Sequence, residues 1–254
     1  DIDIMNCALH IKHLEHAFYT EGLSCFSKQD FEGAGLGPWT RGRIQQIEEH
    51  EKNHVAFLTD TVIDAGGNPT KPCTYKFPYK DPMSFVRLAS MFETIGTSAY
   101  HGTSVMLHDK KYVAASGAIF AVEAQHSGWI DASVLKGSGW SGSFNVPLNW
   151  GHVLSLISPY VESCPSKNPP LPASYPHLAI SNAHPGQTAS LEFAPEPEYL
   201  SSSDTTLYAT FMTSNVGMLC VPVDLKRKTV NVPADIRGDC FVVITNETQV
   251  TDET

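Results

Sequence analysis

Through the first half of the chain, apolar residues recur at steps of three and four, the period of helices with one buried face. Four long stretches carry this pattern, at about 3–26, 41–65, 82–107 and 110–135. Asp1 or Asp3 can cap the first, and Pro82 suits the opening turn of the third. Gly66, Gly67, Asn68 and Pro69 stop the second. Residues 27–39 read as a loop with a short turn. Residues 71–81 read as an aperiodic crossover between two helical hairpins, and 150–161 as a short helix. Beyond 176 the period changes: HLAIS, ASLEF, TLYATFMT, GMLCVPVD, TVNVP and CFVVITN are short β-rich runs separated by turn residues. In TLYATFMT, Leu207, Ala209 and Phe211 alternate with Tyr208, Thr210 and Met212. The pattern predicts an α+β multidomain chain: a four-helix bundle at 1–165, a Pro-rich linker at 166–176, and a small antiparallel, immunoglobulin-like β-sandwich at 177–254.

Several charged residues break the helical pattern from inside. Glu51 and His54 lie three apart between Ile47 and Leu58, so they share the face that should be buried. Glu123 and His126 repeat the arrangement between Ile119 and Ile130. Glu15 lies on the stripe of Ala8, Ile11 and Phe18, and Glu93 on that of Val86, Ala89, Gly96 and Tyr100. An ionised carboxylate is costly to bury alone, so either these faces are open or something cationic lies opposite them. One Glu-x-x-His is a weak signal. The ordered recurrence Glu, Glu-x-x-His, Glu, Glu-x-x-His, one set per helix, is the ligand inventory that ferritin-like bundles use for a carboxylate-bridged pair of metals. Tyr100 reads as a core aromatic beside that centre. His10, His13 and His16 read as surface groups or as neighbours of the centre.

Composition narrows the function. The formal charge is −10, with 17 Lys and Arg against 27 Asp and Glu and no basic cluster, which argues against nucleic acid. No apolar run approaches the ~20 residues that span a bilayer. The chain begins at Asp1 without a signal peptide, which fits a mature secreted protein, and six cysteines are compatible with disulfides. Cys220–Cys240 would staple the β-rich part, and Cys73–Cys164 would tie the crossover to the end of the bundle. Cys7 and Cys25, about 27 Å apart on one continuous helix, cannot meet and are expected to be free and buried. Asn246-Glu-Thr248 is a glycosylation sequon.

LEHAFYTEGL, HEKNHVAFL, CTYKFPYKD, FETIGTSAY and VEAQHSGWI resemble segments of secreted fungal ferritin-like proteins associated with stress response and sexual development, and of plant desiccation-related proteins. The similarity covers roughly residues 4–165. It implies a ferritin-like bundle in which Glu51 and Glu123 bridge two metal ions, Glu15 and Glu93 are terminal ligands, and His54 and His126 supply one imidazole each. Such ligands suit iron or manganese, with zinc compatible. Two readings follow. One is an oxidoreductase acting on peroxide or dioxygen, catalase-like or ferroxidase-like. The other is a non-catalytic extracellular protein of stress protection, storage or cell-wall attachment, with polysaccharide as the partner. A cage for iron storage is a poorer fit, because the appended β-rich part would have to lie outside every subunit. Oligomeric state is not legible.

Overall fold

The computed structural model describes residues 1–194 and 206–246. It divides into two units, Asp1–Gly139 with Pro147–Ser174, and Trp140–Val146 with Tyr175–Thr254. The boundary near 174 falls inside the expected linker. The second unit, however, also takes Trp140–Val146, a segment expected to be loop of the helical part.

The first unit contains six helices: α1 (Ile2–Cys25), α2 (Lys28–Gly33), α3 (Thr40–Asp64), α4 (Pro82–Thr103), α5 (Lys110–Trp129) and α6 (Trp150–Ile157). The helix α1 packs along α3 and against α4, and α4 packs along α5. Local chemistry explains where they start. Asp81 and Ser84 form a reciprocal capping box at α4, with Pro82 in the first turn. Ser27 and Asp30 form another at α2, which the sequence showed only as a turn. Asp1 is the N-cap residue of α1, but its side chain does not bond the first turn. Its carboxylate instead accepts from the backbone N–H groups of His108 (2.7 Å) and Asp109 (3.1 Å), just ahead of α5. At the other end of α1, Arg41 donates to the carbonyls of Phe26 (2.9 Å) and Leu23 (2.8 Å), satisfying groups that the helix leaves open. The last turn of the fourth long helix is π-helical, Ile130–Val134.

The segment between α3 and α4 packs on the helices by its aromatics. Phe77 and Tyr79 meet Phe18 edge-on at 5.2 and 5.8 Å, and Phe18 stacks on Phe85 at 4.7 Å. A short antiparallel pair, β1 (Thr74–Tyr75) and β2 (Val161–Ser163), joins the crossover to the end of the unit. Beside it Cys73 and Cys164 are bonded, with sulfurs 2.00 Å apart.

His10 proves to be a core residue, 3% exposed, and not a surface group. Burial, and then the charge of His13, push its pKa from 6.5 down to about 4. An unfolded imidazole takes up a proton as pH falls through about 6.5, whereas the folded one refuses it until about 4. The contribution of His10 to stability is therefore complete above pH 6.5 and falls by about 3 kcal/mol between there and pH 4. His10→Phe should flatten that part of the acid dependence, as read from denaturant midpoints at neutral and acidic pH. An acid dependence identical to the native one would rule His10 out as its source.

Among its described residues the second unit holds two three-stranded antiparallel sheets, ordered β3-β4-β7 and β6-β5-β8. Their strands are β3 (His177–Ser181), β4 (Thr188–Ala194), β5 (Tyr208–Thr213), β6 (Gly217–Pro222), β7 (Thr229–Asn231) and β8 (Cys240–Thr245). One apolar cluster draws on both sheets, with Ala189, Leu191 and Val230 from the first and Ala209 and Phe211 from the second. The expected Cys220–Cys240 bridge is absent. Both cysteines are unbonded to any other, because β5 lies between their strands. Two strand spacings, about 9.5 Å, exceed the reach of a disulfide. Cys7 and Cys25 are also unbonded, but only Cys7 is buried. Asn246 is exposed just past β8, and the remainder of its sequon lies outside the described residues.

Candidate metal centre

The four glutamates singled out by the sequence come from four helices, Glu15 from α1, Glu51 from α3, Glu93 from α4 and Glu123 from α5. All four are fully buried. Each sits at a position that helical phasing turns inward, so the chain buries charge wherever these helices pack. Glu51, Glu93, Glu123 and His126 bring ligand atoms within 4.8 Å of one another. His126 Nδ1 is 3.2 Å from Glu93 Oε2 and 3.4 Å from Glu51 Oε1. Among the described residues a second grouping, His10 with Cys73 and Cys164, has no thiolate to offer, because its sulfurs are bonded together.

Glu15 and His54 fall outside that four-ligand group, and a residue the sequence did not single out explains why. Lys12, one turn before Glu15 on α1, is fully buried. Its Nζ lies 2.5 Å from Glu15 Oε2, 2.5 Å from Glu123 Oε2 and 2.9 Å from Glu51 Oε2. The Tyr100 ring is 5.6 Å from the same ammonium. These contacts lack the directional geometry of hydrogen bonds, so charge holds the ammonium in place. His54 Nδ1 approaches the same two carboxylates, at 3.2 Å from Glu51 Oε2 and 3.4 Å from Glu123 Oε1. The cation required opposite the buried glutamates is thus part of the chain. Its sequence signal was the spacing Lys12-x-x-Glu15, which places both on one face.

The environment sorts the carboxyl groups. Burial drives Glu15 and Glu123 well above the ordinary carboxylate range, and neighbouring carboxylates add to the effect while Lys12 only offsets it. Burial acts on Glu51 in the same direction, but Lys12 and the imidazoles of His126 and His54 outweigh it and hold Glu51 low. Burial would lower Lys12, yet Glu123, Glu15 and Glu51 keep it well above its usual value. Burial also opposes charge on His126, but Glu93 and Glu51 beside it raise its pKa to about 10. An added cation would therefore have to release protons to bind.

Further contacts orient the ligands. Tyr19 donates to Glu93 Oε1 at 2.5 Å. His50 reaches in from the surface, its Nδ1 2.9 Å from His126 Nε2 and its ring stacked on that of His126. Such a partner fixes the ring orientation of a metal-ligating histidine. Neither residue stood out in the sequence. Tyr19 reads as one more core aromatic, and His50 lies on the polar side of its helix. Gly96 makes room for the carboxylates: a Cβ there would lie 2.6 Å from Glu123 Oε2 and 2.8 Å from Glu15 Oε1.

The residues fit one hard-to-intermediate metal ion. Oε1 of Glu51 and Oε1 of Glu123 are buried with no hydrogen-bond donor aimed at them, and three carboxylates with one imidazole suit iron or manganese. They do not fit a second ion in the same way, because the oxygens of Glu15, Glu51 and Glu123 that would hold it already surround Lys12 Nζ.

A buried carboxylate–imidazole cluster drawn from four long helices defines a ferritin-like carboxylate protein. Residues 1–136 match the ferritin-like domain family, more than half of the chain, and the chain belongs to that family. Protein rds1 of Schizosaccharomyces pombe (strain 972 / ATCC 24843) is 23% identical over 222 residues, covering 85% of this chain and 54% of its own length. The chain thus spans about half the length of that curated relative. Both matches agree with the resemblance to fungal ferritin-like proteins carried by the helical motifs.

Proposed function

We propose that this chain is a metal-dependent ferritin-like protein whose buried centre takes iron or manganese and acts on a small oxidant, peroxide or dioxygen. The convergence of Glu51, Glu93, Glu123 and His126 carries the reading. Either metal, when bound, supplies one-electron redox chemistry. The chain's own residues hold it: Glu93 is fixed by the Tyr19 hydroxyl and His126 by His50, and full burial keeps bulk water from the carboxylates. The helical unit is read as a four-helix bundle, and the two sheets as an immunoglobulin-like sandwich, since one apolar cluster draws on both.

A second reading is a non-catalytic, secreted protein of stress protection, storage or cell-wall attachment. The Lys12 ammonium favours it, because it partly neutralises the carboxylates without any metal. Elemental analysis of protein purified without added metal, beside a Glu51→Ala, Glu123→Ala double variant, separates the two. The first reading expects iron or manganese in the native protein, its loss from the variant, and oxygen release from peroxide above that of the free ion. Metal-free native protein that also fails to take up added manganese would remove it. Binding of the full chain to cell-wall polysaccharide would then favour the second.

A further inference from the structure

We infer that Lys12 is a built-in replacement for one of the two cations such a centre would hold, so that the centre takes a single metal ion at Glu51, Glu93, Glu123 and His126. The inference rests on the metal-binding reading above, and its test separates the failure of either.

Two cation positions are visible in the arrangement of oxygens. The first is ringed by Glu15 Oε2, Glu51 Oε2 and Glu123 Oε2, from three different helices, and Lys12 Nζ sits within 2.9 Å of all three. The second lies toward His126 and Glu93, where Glu51 turns its other oxygen, Oε1. Glu51 therefore faces both positions, one filled by an ammonium and one lined by the ligand atoms of Glu93, Glu123 and His126. A metal–carboxylate bond is about 2.0–2.2 Å long. A metal ion bonded to the three oxygens of the first position would overlap Nζ and be repelled by it. The lysine has no room to withdraw in this packing, since its side chain is fully buried and the Tyr100 ring lies beside it. Gly96 leaves no slack behind Glu15 and Glu123 either, because a single added carbon there would touch both. Charge points the same way. Four carboxylates against one ammonium and one divalent ion leave a single negative charge. A second divalent ion would leave the buried cluster positive.

The test is a titration of metal-stripped full-length protein with manganese(II), followed by the electron paramagnetic resonance of free and bound ion. The native protein should bind one equivalent and give a mononuclear spectrum. Lys12→Met, which keeps the volume and removes the charge, should bind two and give a spin-coupled spectrum. Two further variants keep the test decisive if Lys12→Met fails to fold. Glu15→Gln should still bind one equivalent, because Glu15 faces only the lysine position. Glu93→Gln should weaken binding by more than about 100-fold, the upper range for losing even an outer partner of a ligand. Two equivalents on the native protein, or loss of the ion in Glu15→Gln, would overturn the inference and leave the metal-binding reading standing. No binding by native protein would overturn both, whatever Lys12→Met does.

Discussion

Lys12→Ala, freed of metal by a chelator, should unfold at least ~10 °C below the native protein when the helical signal is followed. Removing one partner of a buried ion pair costs about 3–5 kcal/mol, because the other charge is left without compensation. Here one ammonium meets three fully buried carboxylates, so the upper end of that range applies. In a chain of this size about 1 kcal/mol moves the midpoint by 2–4 °C. The helical signal is the right probe because the two units need not unfold together. Two controls follow from the same cause. Acidification should narrow the gap, since protonated carboxylates no longer need the lysine. Manganese at a hundredfold excess over its dissociation constant should return about 2.7 kcal/mol. An unchanged midpoint at neutral pH would mean that the carboxyl groups share protons well enough to do without the ammonium.

Cys164→Ser should cost the helical unit about 4–5 kcal/mol, the chain-entropy figure for opening a loop of this length. The bond joins residues 91 apart and closes a loop that holds all of α4 and α5, hence Glu93, Glu123 and His126. Denaturant midpoints of oxidised and reduced native protein, beside the variant, measure the effect. A loss below about 1 kcal/mol would assign the closure to other contacts. The candidates are the β1–β2 pair and the exchange between Asn168 and the backbone of Lys71, at 2.8 and 3.0 Å.

The helices were legible because their inward positions repeat at the helical period, and α4 was bounded by Pro82 at its start. The glutamates were legible because each interrupts an apolar stripe. Lys12 was not, although it shares a face with Glu15. A lysine beside a stripe reads as solvated until Glu51 and Glu123 arrive from α3 and α5, and no local period contains that information. The cysteines make the same point. Cys73 and Cys164 could be paired by asking what each would tie together. Cys220 and Cys240 were placed on two strands of the same small domain, but the strand order that keeps them apart is a matter of tertiary pairing. His10 was legible as a helix residue and not as a buried one.

The β-rich part was expected to be an appendage beyond residue 176, yet Trp140–Val146 belongs to it. Ser141 Oγ donates to Asp239 Oδ2 at 2.7 Å and accepts from the Asp239 backbone N–H at the same distance. The backbone at Gly142 runs so close to Ser214 that a Cβ would collide with its carbonyl. The chain therefore begins the second unit before it has finished the first, returning for α6 and β2 and then leaving again. A module of that kind is interleaved and not serial. Transplanting residues 177–254 onto another protein would omit part of the unit itself, and losing them would strand 140–146 in the helical half without the surface it was made for.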